Sequence, residues 1–169
     1  MISSQFVALL NKNHAVAAQI HAVQMAAYSQ EAELLGVKDF PPLQVTVVDI
    51  QESCENFYGA YQLNELVGVV SICKKPCPDS LCISSLVVKP SAQRRQVGSG
   101  LLARALSLFD QCNFTVSTAA KNVPAVSLYS FFGFIETRRW LASPDNIELI
   151  ELSKIRFKPL PKLTKPREK

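Results

Sequence analysis

The sequence predicts an α/β (α+β) fold, and the stretch 83–109 carries the main support for it. Ile83 to Val88 is a short apolar, β-branched run that stops at Lys89-Pro90, which is typical of a strand. From Leu101 to Phe109, apolar residues recur at helical spacing, which indicates an amphipathic helix. A further strand is predicted at Phe114 to Ala119. Two strands joined through one helix are expected to lie parallel.

The N-terminal part predicts one strand and two helical pieces. Ser4 to Leu10 is the strand, and either Asn11 or Asn13 caps a helix that runs to about Tyr28. A second helical piece covers 29–36 and ends at its glycine.

The rest of the chain predicts hairpins placed around the central strand and helix. An extended break is expected at Phe40-Pro41-Pro42. The remaining elements expected are a short helix at Thr46 to Gln51, a hairpin of 57–62 and 66–72 around Leu63-Asn64-Glu65, a strand at Leu81 to Val88, a helix at Gly98 to Gln111, and a closing hairpin of Ile135 to Leu141 and Ile147 to Leu152.

Length and composition indicate one globular domain. The chain has 169 residues, of which 48% are hydrophobic and 19% charged, enough for a single core. No apolar run approaches the length of a membrane span, and the N-terminus lacks the pattern of a signal peptide. We therefore expect a cytoplasmic protein without a membrane partner.

Charge is concentrated at the C-terminus. Residues 154–169 contain seven Lys and Arg and one acidic residue, whereas residues 1–153 contain eleven Lys and Arg and thirteen acidic residues. We expect a domain at 1–153 and a basic, proline-containing tail at 154–169 that is extended or disordered. Because the body is nearly neutral, nucleic acid is not the expected partner.

The cysteines predict free thiols. There are five, an odd number, and no secretion signal accompanies them. The spacing of Cys73 and Cys77 does not match a zinc site, so no metal is expected.

The loop from Gln93 to Gly100 has the features of an anion site. It precedes a helix, whose first amides lack partners and whose dipole is positive at that end. Arg94 and Arg95 add guanidinium donors suited to phosphate, and Gly98 and Gly100 let the backbone approach closely. No Gly-Lys-Ser/Thr follows, which excludes a Walker loop, and the three-glycine Rossmann spacing is absent.

Two blocks resemble a known family. The first is Arg95-x-x-Gly98-x-Gly100, preceded by Leu86-x-Val88-x-Pro90, and it resembles the acetyl-CoA-binding motif of the GNAT N-acetyltransferases. The second is Asn122-x-x-Ala125-x-x-Leu128-Tyr129-x-x-x-Gly133-Phe134, which resembles the second GNAT signature at every position. The resemblance covers roughly residues 1–153.

The resemblance implies a fold and an activity. The fold is a mixed, mostly antiparallel sheet of six to seven strands, flanked by about four helices, with a parallel pair at the cofactor strand. The activity is direct transfer of an acetyl group from acetyl-CoA to a primary amine of a small molecule or a peptide terminus. Many members carry an acidic residue on the cofactor strand, but 82–86 has none. This departure favours one alternative, a non-catalytic acyl-CoA-binding regulatory module.

The resemblance also implies roles for individual residues. Tyr129 is the expected proton donor to the departing thiolate. The general base stays open between Glu31, Glu33, Asp39 or Glu65 acting through water and a relay through Ser84. Substrate contacts are expected from Tyr28, Glu31 and Phe40, with Pro42 beside them, and homodimer formation stays open. The residues expected to bind acetyl-CoA are Leu86, Val87, Val88, Arg94, Arg95, Gln96, Val97, Gly98, Ser99, Gly100, Asn122 and Ser127.

Overall fold

A computed structural model describes residues 4–143 and 146–156 of the chain. Within these ranges, seven strands form one sheet and four α-helices cover it. In chain order the elements are β1 (Gln5–Leu9), α1 (His14–Leu35), α2 (Val47–Glu52), β2 (Asn56–Gln62), β3 (Glu65–Lys74), β4 (Ser80–Val88), α3 (Val97–Leu108), β5 (Asn113–Ala119), α4 (Val123–Phe131), β6 (Ile135–Ala142) and β7 (Ile147–Lys154). Short 3-10 turns occupy Pro41–Gln44 and Pro90–Ala92.

The sheet has the order β1-β2-β3-β4-β5-β7-β6. Every neighbouring pair is antiparallel except β4 and β5, which are parallel and are connected through α3. This arrangement confirms the predicted mixed, mostly antiparallel sheet with one parallel pair. The tight turn between β2 and β3 is made by Leu63 and Asn64, both at positive φ, as a two-residue hairpin turn requires.

Two apolar clusters pack on the sheet, one on each face. Helices α1 and α2 cover the first, which includes Ile20, Val23 and Val69. Helices α3 and α4 cover the second, which includes Leu102 and Phe114. Burying each such side chain stabilises the fold by about 1.5–3 kcal/mol relative to leaving it exposed. The sheet therefore serves as the rigid layer on which residues from all four helices are positioned.

Helix α1 corrects the prediction of two helical pieces, because it is continuous from His14 to Leu35. The predicted second piece starts at Ser29. Its hydroxyl instead donates to the backbone carbonyl of Met25 within the helix, at 2.8 Å. The helix ends at Gly36, whose φ of 70° gives the left-handed cap. The last two turns are therefore part of α1 and not a separate element that could be oriented independently.

The choice between two N-terminal caps of α1 is decided by packing. Asn13 is the cap, and its side chain accepts from the amide of Val16. Asn11 is buried instead, and its side-chain amide donates to the backbone carbonyls of Ile50 and Ser53 at 2.7 and 3.1 Å. Asn11 thereby ties the start of α1 to helix α2.

Helix α3 ends earlier than predicted, at Leu108 rather than Gln111. Phe109 leaves the helical conformation, and the amide of Cys112 donates to the Phe109 carbonyl in a turn. The prediction of an extended or disordered tail lies outside the described residues from 157 onward, whereas Lys154 belongs to β7. The predicted turn residues Pro144 and Asp145 also lie outside the described ranges.

Candidate functional site

Strands β4 and β5 pair along only part of their length. Their parallel ladder joins Ser80–Ile83 to Asn113–Val116, yet β4 continues to Val88 and β5 to Ala119. Beyond Ile83 the two strands diverge, so in the described part of the sheet the β5-facing backbone of β4 has no strand partner there. This divergence opens a gap in the middle of the sheet.

A β-bulge marks the same point on β4. Ser71 pairs with Ser85 and Ile72 pairs with Ile83, so that Ser84 is the extra residue. A bulge bends its strand and redirects neighbouring side chains. The sequence carries no turn or glycine signal at Ser84, and only the register between the strands reveals the bulge.

The gap is the floor of a cavity of about 320 Å³. Its walls come from the end of α1, the segment through the 3-10 turn that follows, strands β4 and β5, helix α4, and the two sides of the β6–β7 connection. The lining residues with most bearing on its chemistry are Tyr28, Glu31, Asp39, Phe40, Ser85 and Tyr129.

A hydrogen bond connects the two helices that face each other across the cavity. The side-chain amide of Asn122 donates to Oε1 of Glu31 at 3.0 Å, although the residues are 91 positions apart. The side-chain oxygen Oδ1 of Asn122 also accepts from the backbone amide of Ala125 and so caps α4. Burial raises the pKa of the Glu31 carboxyl above its usual range, and the bond from Asn122 partly opposes that shift. Glu31 is therefore a fixed, partly buried carboxylate with increased basicity.

Two tyrosines complete the polar part of the cavity. Burial raises the pKa of Tyr28 to about 12, with the Glu31 carboxylate adding to the shift and a hydrogen bond with Ser85 opposing it. Burial, reinforced by Glu31 and Tyr28, raises the pKa of Tyr129 well above its usual value. Both phenols therefore stay protonated across the neutral range and can donate hydrogen bonds or protons.

The N-terminus of α3 lies at the end of β4, next to this cavity. Gly98 faces Val88 of β4 and Leu128 of α4. Among the four α-helices of the described chain, α3 alone has no side-chain cap, since Gln96 makes no capping bond. The amide of Gly100 donates to the Gln96 carbonyl at 2.9 Å, which begins the helical series.

The backbone amides of Val97, Gly98 and Ser99 at this terminus have no hydrogen-bond acceptor within the helix. Arg94 and Gln96 hold left-handed φ values of 59° and 64°, a conformation that turns successive amides toward one side. The anion-site hypothesis is consistent with this geometry, except that Gly100 does not offer a free amide.

The two glycines of the first block differ in their surroundings. A Cβ on Gly100 would lie 2.5 Å from Cζ of Phe6, so any other residue there would require the Phe6 ring to shift. A Cβ on Gly98 would meet Val88 and Leu128 at ordinary distances of 3.6 and 3.7 Å. Packing explains Gly100, whereas no neighbour in the described structure requires glycine at position 98.

The structure gathers some of the predicted site residues in the cavity and places others outside it. The predicted residues that line the cavity are Tyr28, Glu31, Phe40, Pro42, Leu86, Val87, Asn122 and Tyr129. The loop residues Arg94, Arg95 and Gln96 are exposed, as is Ser127 on α4. Val88 packs on the core and accepts from the Gln93 side chain.

The candidate bases are also separated by the structure. Glu31 and Asp39 line the cavity, and so does Ser84. Glu65, at the start of β3, forms an ion pair with Lys89, which follows β4, at 2.6 Å, and Glu33 is exposed on α1. Sequence reasoning did not find Leu35 or Ser85, which also line the cavity. Leu35 lies four residues after Glu31 within the predicted helical piece at 29–36, and this spacing could have indicated it.

Three further features concern the described residues as a whole. No helix among them is both long and apolar enough to cross a membrane. No group of three or more His, Cys, Asp or Glu side chains among them could hold a metal ion. All five cysteines are free thiols.

Comparison with solved structures shows the fold. The ribosomal-protein-S18-alanine N-acetyltransferase of Escherichia coli superposes with a TM-score of 0.68 at 14% identity, covering 89% of this chain and 92% of that one. The PaiA N-acetyltransferase of Thermoplasma acidophilum, solved in complex with coenzyme A, gives 0.69 at 14% identity, covering 89% and 98%. An acetyltransferase of Thermus thermophilus gives 0.70 at 19% identity, covering 91% and 99%.

Sequence comparison adds a family and a relative. UPF0157 protein YqkA of Bacillus subtilis (strain 168) is 39% identical over 127 residues, which are 75% of this chain and 36% of that protein. The chain thus spans well under half the length of this curated relative. The model of the acetyltransferase (GNAT) family matches residues 18–134, most of the described structure. The chain belongs to the acetyltransferase (GNAT) family.

Proposed function

We propose that this protein is an acetyltransferase that moves an acetyl group from acetyl-CoA to a primary amine in a single ternary complex. The observation that carries the proposal is the position of Glu31. Its carboxylate, with a raised pKa, lies in the same cavity as Tyr129, beside the gap where β4 and β5 separate. A base and an acid on opposite helices suit the two proton transfers that the reaction needs.

The chain's residues fit coenzyme A in two places. The diphosphate would meet the amides of Val97, Gly98 and Ser99 at the positive end of α3, with Arg94 and Arg95 nearby. The pantetheine arm would run along the free edge of β4, at Leu86 to Val88, where backbone groups have no β5 partner. The bound thioester supplies the electrophilic carbonyl carbon.

Glu31 is the proposed general base. A primary amine arrives protonated and must lose a proton before its nitrogen can attack. The raised pKa of Glu31 makes its carboxylate a better acceptor for that proton, and Asn122 holds it in one orientation. In this proposal a carboxylate from α1 takes the place of the strand acid absent from 82–86, which argues against the non-catalytic alternative.

The remaining steps can be assigned to the opposite side of the cavity. As the new C–N bond forms, the carbonyl oxygen gains charge, for which an amide of β4 near Leu86 is the candidate donor. The nitrogen gives its second proton to solvent, to which Glu31 also releases the first. When the C–S bond breaks, the departing thiolate takes a proton, which the Tyr129 hydroxyl can supply, and the phenolate recovers a proton from solvent. The net reaction releases one proton to solvent.

Incubation with acetyl-CoA and a panel of amines tests the proposal. We expect free thiol to appear in step with an acceptor whose mass has increased by one acetyl group. The Glu31→Gln variant should bind acetyl-CoA like the parent but transfer at least about 100-fold more slowly. Absence of transfer to any amine, with coenzyme A still bound tightly, would contradict the proposal.

A further inference from the structure

The ionisable side chains of the cavity are acids and phenols. Its carboxylates are Glu31 and Asp39, and its phenols are Tyr28 and Tyr129. Among the described lining residues there is no Lys, Arg or His. An anionic group entering this space would meet like charge without a cationic partner, which costs free energy, whereas a cation would be attracted.

The side of the cavity formed by α1 and the segment that follows it is also apolar and aromatic. Tyr28 and Leu35 flank Glu31 at helical spacing on one face of α1. Phe40 packs edge-to-face on Tyr28, with ring centroids 6.0 Å apart. An ammonium held by Glu31 would lie beside aromatic faces, which favour cations. The same wall would cover an apolar body attached to the amine.

Two prolines in the cavity lining disfavour a peptide beside them. Pro41 and Pro42 line the cavity, and neither has an amide hydrogen to pair with a peptide carbonyl. Each peptide group buried there without a partner would cost binding free energy. A small amine carrying only apolar atoms beyond its nitrogen has no such requirement.

From these observations we propose that the acceptor is a small primary amine with an apolar alkyl or aryl body and no anionic group. The inference rests on the proposed acetyl transfer and adds selectivity to it. Glu31 and Asp39 exclude acceptors that carry a carboxylate or phosphate, and Tyr28 and Phe40 hold the apolar body. Free α-amino acids and peptide N-termini are then poor acceptors.

A matched series of acceptors isolates the effect of charge. Three acceptors share a phenyl ring and a primary amine and differ in the substituent on the carbon that bears the amine. 2-Phenylethylamine has none, phenylalaninamide has a neutral amide, and phenylalanine has a carboxylate. We expect kcat/KM for 2-phenylethylamine to exceed that for phenylalanine by at least about 100-fold, with phenylalaninamide between them. A tetrapeptide beginning with phenylalanine should react more slowly than 2-phenylethylamine.

Variants connect this selectivity to the wall. Phe40→Ala should raise KM for 2-phenylethylamine about 10-fold while leaving KM for acetyl-CoA unchanged. Leu34→Ala, at a side chain that is 54% exposed on α1, is the matched control and should change neither. Asp39→Asn, which can still accept the bond from Gln44, should reduce the preference for the amine over phenylalanine about threefold or more.

The outcomes separate the two proposals. Equal or faster transfer to phenylalanine or to the tetrapeptide would overturn the selectivity and leave acetyl transfer standing. An unchanged preference in Asp39→Asn together with an unchanged KM in Phe40→Ala would also overturn it. Absence of transfer to every acceptor would instead overturn acetyl transfer, and the inference with it.

Discussion

The side-chain amide of Asn122 donates to the carboxylate of Glu31 at 3.0 Å, and this bond joins the last turns of α1 to the N-terminus of α4. The same side chain caps α4 through its carbonyl oxygen. Asn122 therefore fixes both the helix that carries Tyr129 and the carboxylate that faces it. One residue couples helix stability to the basicity of the proposed base.

Substitutions at Asn122 should separate these two roles. Asn122→Ser keeps a cap acceptor but removes the amide that reaches Glu31, whereas Asn122→Ala removes both. We expect Asn122→Ala to lower the free energy of unfolding by about 1 kcal/mol and Asn122→Ser by much less. Both should raise the pKa of Glu31 further, because the bond that lowers it is lost. Thermal unfolding measures the first effect and the pH profile of kcat/KM the second.

Thr46, which caps α2 and lies outside the cavity lining, provides the control for Asn122. Thr46→Ala should reduce stability by a similar amount without moving the pH profile. An acidic limb that moved equally in Thr46→Ala and Asn122→Ala would show that general loosening, rather than the bond to Glu31, sets the basicity.

Replacing Glu31 should trade activity for stability. Because burial raises its pKa in the folded protein above the usual 4.5, the stabilising contribution of Glu31 is complete below that value. That contribution is lost as the pH rises through the folded-state pKa. Glu31→Gln mimics the protonated form, so it should be more stable than the parent at neutral pH by about 0.5–2 kcal/mol. The difference should vanish in acid, as unfolding measured across pH will reveal.

The activity of Glu31→Gln supplies the second half of this prediction. In the parent protein kcat/KM should rise with pH as Glu31 loses its proton, and the variant should lack that limb. Glu33→Gln, at an exposed carboxylate on the same helix, should retain it. A variant at position 31 that kept both full activity and the limb would remove Glu31 from the mechanism.

The sequence could predict those parts of the site that depend on local pattern. The β4–loop–α3 segment is encoded within a few residues, and the structure has the strand and the start of the helix where expected. The roles of the individual residues remain predictions. Local pattern failed at Ser29, where a polar residue resembled a helix start although its hydroxyl bonds back to Met25 inside α1.

Which candidate serves as the proposed base could not be predicted, because the environment of each carboxylate is made by tertiary contact. Glu31 and Glu33 differ little in sequence context, but one turns into the cavity and the other to solvent. The bulge at Ser84 and the early end of the β4–β5 ladder depend on pairing between distant segments. No pattern within β4 alone specifies where its partner leaves it.

The two glycines of the first block should respond oppositely to alanine. Gly100→Ala places a Cβ against the Phe6 ring and should reduce stability by about 1–3 kcal/mol. Phe6→Leu removes the clashing atom, so the same change made in that background should cost less. Gly98→Ala meets only ordinary contacts and should keep or slightly raise the melting temperature.

Binding measurements complete the comparison of the glycines. If the Gly98 amide approaches the diphosphate closely, Gly98→Ala should weaken coenzyme A binding about 10-fold despite its intact fold. Gly100→Ala, whose amide is already bonded to Gln96, should affect binding only through its loss of stability. Calorimetric titration of both variants with coenzyme A distinguishes these effects. Unaltered affinity in Gly98→Ala would contradict the proposed diphosphate site at the N-terminus of α3.

Tyr129 should be replaceable by phenylalanine with little effect on folding. Tyr129 is 4% exposed and its ring packs on Phe134 with centroids 5.4 Å apart, contacts that a phenyl ring at the same position would keep. We expect a loss of stability of about 1 kcal/mol or less but a fall in kcat of about 100-fold, because the departing thiolate loses its proton donor. Tyr61→Phe, which removes a hydroxyl bonded to Gln19 outside the cavity lining, is the matched control.

The pH profile adds a test that a structural role for Tyr129 would not pass. Since its pKa is raised well above the ordinary value of 10.0, the parent should show no alkaline loss of kcat from this group through the neutral and mildly basic range. Supplying an acetyl thioester whose thiol is more acidic should narrow the gap between parent and Tyr129→Phe, because such a thiolate leaves without a proton. A gap that stayed the same for both donors would assign Tyr129 to packing rather than to proton transfer.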